Sequence, residues 1–293
     1  MTDPYPATRE SKLWNERAEV SSEQSRRALE KSPIDDSRNQ LSARFAPVAE
    51  GEPEDPMITL IQPWLEPKDT VLDVGCGAGR LTVPLAGSCQ SNIGVDSSPT
   101  MLNLLSDQVQ DRQITNLRID ESTWEEWPEE TVDIVLMSHL LYSVHPIEEF
   151  LEKAHRVASR RIIVMLSTAQ PIAFFHPLWE AAYGEPRIEP TGANELRSVL
   201  ESWGIAVDVR ALEPVSARAF PDAHTALRRA AARADEALLD KAAEHAEGIV
   251  QRALALVEHK GVGGLAKERD RLARVGHPRD HDDLAVARLL LLD

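Results

Sequence analysis

The sequence predicts a doubly wound α/β protein with a mostly parallel sheet and a helical insertion before the last strand. Three observations predict it. Short apolar runs at 71–74, 91–96, 114–119, 132–138 and 161–167 alternate with amphipathic, helix-like segments, the order that builds a parallel sheet covered on both faces. A glycine-rich stretch, Asp73-Val74-Gly75-Cys76-Gly77-Ala78-Gly79, follows the first run at once. Residues 217–273 then turn rich in Ala, Glu, Arg and Leu, with Leu227, Ala230, Ala231, Ala234 and Leu238 at helical spacing, before a last apolar segment at 284–292.

In chain order, 12–29 reads as a helix and 30–54, rich in Ser, Pro, Asp and Glu, as a linker. Asp55-Pro56 reads as a cap and first-turn proline, with Ile58, Ile61, Trp64 and Leu65 on one face. The glycines lead into a helix over 81–87. Pro99 opens another to 110, with Met101, Leu104 and Leu105 inward, and 148–158 a third. Residues 195–203 form a helix stopped by Gly204, and 205–212 has strand character. The division expected is 1–54, an N-terminal helix and linker that could serve as a lid; 55–212, a ligand-binding core; 213–283, a helical insertion; and 284–293, the final strand. The insertion, thin in large apolar residues, is expected to dock on the substrate side rather than fold alone, with a dimerisation arm as the other reading.

With 48 acidic and 32 basic side chains the formal net charge is −16, a field that repels a polyanion, so nucleic acid is not an expected partner. Two cysteines, Cys76 and Cys89, are too few for a disulfide framework or a thiolate metal site. No metal is expected. The N-terminal residues are polar and 289–292 is far shorter than the roughly 20 residues of a membrane span. A cytoplasmic protein without membrane contact is expected. The oligomeric state is not legible.

A turn after a parallel strand lies at the carboxyl edge of the sheet, where such folds bind ligands. Glycine there takes positive φ and lets backbone approach a ligand. Dinucleotide enzymes space these glycines Gly-x-Gly-x-x-Gly so that a pyrophosphate meets the helix N-terminus. Here the third glycine comes one residue early and Arg80 stands in the later place. Asp73, just before the turn, would repel a pyrophosphate; it suits a ligand bearing an ammonium, such as the amino-acid end of S-adenosylmethionine. Asp96 ends the second strand, 23 residues on, where a carboxylate can accept from both hydroxyls of a ribose.

VLDVGCGAGRLTVPLA, IGVDSSPTML and VDIVLMSHLLY together resemble the class I S-adenosylmethionine-dependent methyltransferase superfamily, over about residues 55–212. The resemblance implies a seven-stranded sheet whose last strand is antiparallel. It implies that Asp73, Gly75, Gly77 and Gly79 surround the methionine moiety, Asp96 the ribose, with Ser97 and Ser138 beside the cofactor, and that Met101 packs against the adenine. The superfamily often carries an aspartate after the third strand; here the count places Thr123 there, with Trp124 beside it. The Thr123 hydroxyl and the backbone N–H of Trp124 could serve the adenine edge, Asp120 is the substitute if the register differs, and edge packing is the other reading of Trp124 and Trp127.

The resemblance places Ser138-His139-Leu140-Leu141-Tyr142 beside the transferred methyl. Asn-Pro-Pro-Tyr, the mark of enzymes that methylate amino groups of adenine and glutamine, is absent. His139 is the candidate base and Tyr142 the candidate positioning hydroxyl; a hydrogen-bonded cap is the plainer reading of His139. The 173–179 run concentrates aromatic residues around His176 and Trp179, either as a substrate pocket or as the core of a connecting helix. Trp14 and Arg17 either close over the site, with Arg17 on the cofactor's carboxylate, or belong to a surface helix. The function expected is methyl transfer from S-adenosylmethionine to an O, N or C atom of a small molecule. The alternatives are a non-catalytic relative acting as an assembly subunit and an NAD(P)-dependent oxidoreductase.

Overall fold

The computed structural model describes residues 4–27, 47, 55–167, 179, 183–211 and the backbone of 28–30 and 287–292. The expected insertion over 217–273, His176 and most of the 173–179 aromatic run lie outside these residues.

The core is one sheet of seven strands in the order β3-β2-β1-β4-β5-β7-β6: β1 (Thr70–Val74), β2 (Ser91–Asp96), β3 (Leu117–Glu121), β4 (Val132–Ser138), β5 (Ala158–Ser167), β6 (Val207–Ala211) and β7 (Ala287–Leu292). β1 to β5 pair in parallel; β7 lies antiparallel between β5 and β6. The helices are α1 (Arg9–Glu30), α2 (Pro56–Ile61), α3 (Thr82–Leu85), α4 (Pro99–Asp111), α5 (Ile147–Val157) and α6 (Ala193–Ser202). Strand order reverses between β1 and β4, and the crevice at their carboxyl ends is where doubly wound sheets take ligands.

The central strands are apolar on both faces, as a sheet covered twice requires. Leu72, Val74, Val135 and Met137 face one cluster, while Val71, Ile134, Leu136 and Ile163 face the other with Met57, Ile58 and Ile61 of α2. Asp55 caps α2 through Oδ1, which accepts from the Met57 N–H at 3.0 Å, and Pro56 takes the first turn as expected. Gly204, at φ +75°, ends the α6 segment.

Three expectations shift. The strand expected over 114–119 begins at Leu117, because the Ile114 N–H closes back on the Val109 carbonyl and Asn116 Nδ2 donates to the carbonyls of Ala86 and Cys89. The helix expected over 81–87 is only Thr82–Leu85 followed by a tighter turn at Ala86–Ser88. On α4 the buried pair is Leu102 and Leu105, while Met101 and Leu104 are half-buried, because Leu102 and Leu105 are the two that pack with Cys76 and Val83 under the glycine turn.

One buried cation organises the β3–β4 connection. Lys153 of α5 donates to the carbonyls of Trp124 (2.5 Å), Trp127 (2.6 Å) and Glu125 (3.1 Å), and its ammonium lies 4.8 Å from the Trp124 ring centroid. Burial pushes its pKa below the ordinary lysine range. Lys153→Met keeps the stem and leaves these carbonyls without a donor, so it is expected to cost about 2–4 kcal/mol. Urea unfolding checks this, as a lower midpoint at unchanged slope.

Candidate functional site

The glycine turn folds as a cradle because three of its residues take a backbone that side chains resist. Gly75, Gly77 and Gly79 have φ of +73°, +54° and +88°. The turn is tied to the neighbouring strand: the N–H groups of Gly75 and Cys76 both donate to the Val95 carbonyl, at 2.8 and 3.1 Å. A methyl at Gly75 would stand 3.0 Å from Leu140 Cδ1, so the turn after β1 and the segment after β4 meet across the switch point.

Asp96 is half-buried at the end of β2. Its Oδ2 accepts from the Gly77 N–H at 2.9 Å and its Oδ1 from the Ser98 N–H at 2.8 Å. A carboxylate oxygen has two acceptor positions, so each oxygen keeps one for a diol. Beside it the Ser98 hydroxyl is buried without a partner among the described residues. Ser97 is exposed and Met101 half-exposed on the same rim. These residues fit S-adenosylmethionine at the ribose end.

Asp73 is buried at 2% exposure, and its Oδ2 accepts from the Thr82 hydroxyl at 2.6 Å. Burial raises its pKa to about 7; the nearby Asp96 adds to the rise and Thr82 opposes it. The carboxyl is thus poised to ionise when a cation comes near. Thr82 escaped the sequence reading, although its place nine residues beyond Asp73 on the following helix was open to inspection.

The side chains of Thr123 and Trp124 make local contacts. The Thr123 hydroxyl accepts from the Glu126 N–H at 3.3 Å. The Trp124 indole is buried, stacks on Trp127 at 6.0 Å and donates to the Phe150 carbonyl at 3.2 Å. Asp120 accepts from Trp127 Nε1 at 3.0 Å and from Arg118 at 3.1 Å.

Across the crevice, half-buried Ser138 ends β4. His139 follows with φ +55°, a backbone position costly for a residue with a Cβ. It is held there by its N–H donating to the Met165 carbonyl at 2.9 Å. His139 Nδ1 lies 2.7 Å from Tyr142 Oη, and the Ser167 N–H donates to that same oxygen at 2.8 Å. The two candidates named from sequence are therefore joined. Burial first, then the charge of Arg80, push the His139 pKa down to about 4, with Asp55 opposing. Burial also raises Tyr142. Arg80 itself pairs with Asp55 at 2.5 Å. The sequence marked Asp55 only as a cap; its second oxygen finds a partner 25 residues away, which no local pattern reveals.

Trp14 and Arg17 sit on α1, whose inner face is built into the core. Trp14 is 1% exposed and its Nε1 donates to the Val144 carbonyl at 2.9 Å. Arg17 donates to Glu195 Oε1 at 2.9 Å and to the Glu189 carbonyl at 2.8 Å. With Ser167, Thr191 and Glu195 it lines a small polar cleft beside Tyr142, whose carbonyl accepts from the Thr191 hydroxyl at 3.2 Å. Trp179 is half-buried, stacked at 4.1 Å on Tyr183, with Arg187 4.7 Å over its ring. Among the described residues no group of His, Cys, Asp and Glu could hold a metal ion, and no helix is long and apolar enough to cross a membrane.

Residues 71–160 match a family described as a methyltransferase domain. An uncharacterized methyltransferase, YcgJ, of Bacillus subtilis (strain 168) is 28% identical over 89 residues, 30% of this chain and 35% of the relative. A demethylmenaquinone methyltransferase of Tropheryma whipplei (strain Twist) is 28% identical over 144 residues, 46% of this chain and 60% of the relative. The chain thus spans between about a third and three fifths of these relatives' lengths. Among solved structures, coclaurine N-methyltransferase bound to N-methylheliamine and SAH shares the fold, with a TM-score of 0.50 at 14% identity over 97% of this chain and 96% of that one.

Proposed function

From the match of residues 71–160 to a methyltransferase domain, we propose that the chain is a class I S-adenosylmethionine-dependent methyltransferase that transfers the cofactor's methyl group to an O, N or C atom of a small molecule. The observation that carries the reading is the meeting of two segments at the switch point. The Gly75–Gly79 turn and Asp96 stand on one side, and His139 with Tyr142 on the other, with Leu140 between them against Gly75. When bound, S-adenosylmethionine supplies an electrophilic methyl on a sulfonium. Asp73 would face its ammonium and Asp96 its ribose. Holding a nucleophile in line near the methyl then supplies much of the rate.

A small acceptor is favoured over nucleic acid by the net charge of −16. The relative named for demethylmenaquinone supports the same class. The strand ends beside the insertion, Ala211 on β6 and Ala287 on β7, lie at the carboxyl edge near Ser167, which supports attaching that segment on the substrate side. An oxidoreductase is opposed by Asp73 ahead of the turn. The test is incubation with methyl-labelled S-adenosylmethionine and a cell extract split into low-mass, RNA and protein fractions. Label is expected in the low-mass fraction; label confined to RNA or protein would refute the substrate class.

Asp73 gives this reading a pH signature. A carboxyl whose pKa is raised to about 7 holds its proton in the free protein below that pH, while the ammonium of the cofactor favours the ionised form. Binding should therefore release protons at pH 6–7. Affinity should rise with pH up to about 7 and level off above it. Calorimetry at pH 6.5 in buffers of different ionisation enthalpy measures the protons released. Asp73→Asn is expected to abolish the release, and a wild-type value of zero would remove Asp73 from the ammonium site.

A further inference from the structure

We propose that His139 acts as a fixed hydrogen-bond donor toward an oxygen of the substrate, and not as the base that takes the substrate's proton. The inference rests on the proposed methyl transfer for its meaning but not for its geometry. The Ser167 backbone N–H can only donate, and it donates to Tyr142 Oη at 2.8 Å. The phenol hydrogen must then point elsewhere. The acceptor that the described residues offer it is His139 Nδ1, at 2.7 Å. The opposite arrangement, with Nδ1–H donating to the phenol, would leave Tyr142 accepting twice and its own buried hydrogen without a partner, a cost of about 1–3 kcal/mol.

A chain of donors running Ser167, Tyr142, His139 thus occupies the Nδ1 lone pair. A neutral imidazole carries one proton, so that proton sits on Nε2. Nε2 has no partner among the described residues, so its proton is available to a ligand. The charges around the ring agree. Arg80 stands close enough to disfavour a second proton, and Asp55, which would favour one, is itself engaged by Arg80 at 2.5 Å. The imidazole is held neutral, with its one free polar group a donor.

Two consequences follow. A base at Nε2 needs a lone pair there, and the chain of hydrogen bonds removes it. The acceptor substrate then presents an oxygen, such as a carbonyl, carboxylate or phenolate, where Nε2–H can reach it, and His139 does not take the proton of its nucleophile. The strained φ of +55° at His139, fixed by the Met165 carbonyl, fits a ring held in one orientation for this purpose.

Nitrogen-15 spectra of the full chain labelled at histidine distinguish the two neutral tautomers and the imidazolium. The His139 signals are identified as those missing from His139→Gln. At pH 7 the wild type is expected to show the Nε2–H tautomer alone, and to remain neutral down to about pH 5. Tyr142→Phe removes the hydroxyl that donates to Nδ1, and is expected to turn the single tautomer into a mixture. An Nδ1–H tautomer or an imidazolium at pH 7 in the wild type would overturn the proposal, as would an unchanged single tautomer in Tyr142→Phe. Calorimetry with S-adenosylmethionine on the same samples reports the cofactor reading separately: a failure to bind would refute that reading and leave the tautomer result standing.

Discussion

Asp96→Ala is expected to weaken S-adenosylmethionine binding by about 1.5–3 kcal/mol, roughly 10- to 150-fold, measured by calorimetry against the wild type. The carboxylate has two tasks. Its remaining acceptor positions would serve the ribose diol. Its occupied ones pin the Gly77 and Ser98 N–H groups, at 2.9 and 2.8 Å. Alanine removes both, so the cradle loosens as the ligand contacts vanish. The sheet beneath should not notice, because the carboxylate is half-buried at a strand end rather than within the core. Asp96→Asn separates the tasks: the amide oxygen can hold one backbone N–H, but its NH2 cannot accept from a hydroxyl. An affinity that survives in both variants would move the ribose site away from β2.

Gly79→Ala is expected to destabilise the fold by about 2–4 kcal/mol and to lose cofactor binding with it. Two costs add. At φ +88° a side chain meets its own backbone. The added methyl would also stand 2.4 Å from Leu105 Cδ1 and 2.9 Å from Val83 Cγ2. Leu105 is fully buried and cannot swing aside without opening the small cluster of Cys76, Val83, Leu102 and Leu105. Thermal and urea unfolding measure the loss. A variant as stable as the wild type would mean that the turn has freedom this packing does not show.

The comparison of sequence with structure divides along physical lines. Elements set by local chemistry were legible: the β4 run, the Asp55-Pro56 start of α2, the Gly204 stop and the glycine turn each carry their signal within a few residues. Leu117 as the start of β3 was not, because it depends on Asn116 reaching three carbonyls before β2. At the site, the pairing of His139 with Tyr142 follows from their three-residue spacing, but the Ser167 N–H that orients them comes from a strand 25 residues away. Edge packing was one sequence reading of the Trp124 side chain. Its environment is decided by Lys153 and Phe150 on α5, which arrive only when the sheet is assembled. The partners of Arg17, Glu189 and Glu195, lie more than 170 residues on. Tertiary hydrogen bonds of this range leave no periodic trace in the chain.

The central claim is that the turn at Gly75–Gly79, with Asp73 and Asp96, is built for S-adenosylmethionine, and direct titration of the full chain by calorimetry tests it. Saturable binding of S-adenosylmethionine and of its demethylated product is expected in the micromolar range, on the order of −8 kcal/mol, at one site per chain. No heat and no saturation with either ligand at millimolar concentration would contradict it.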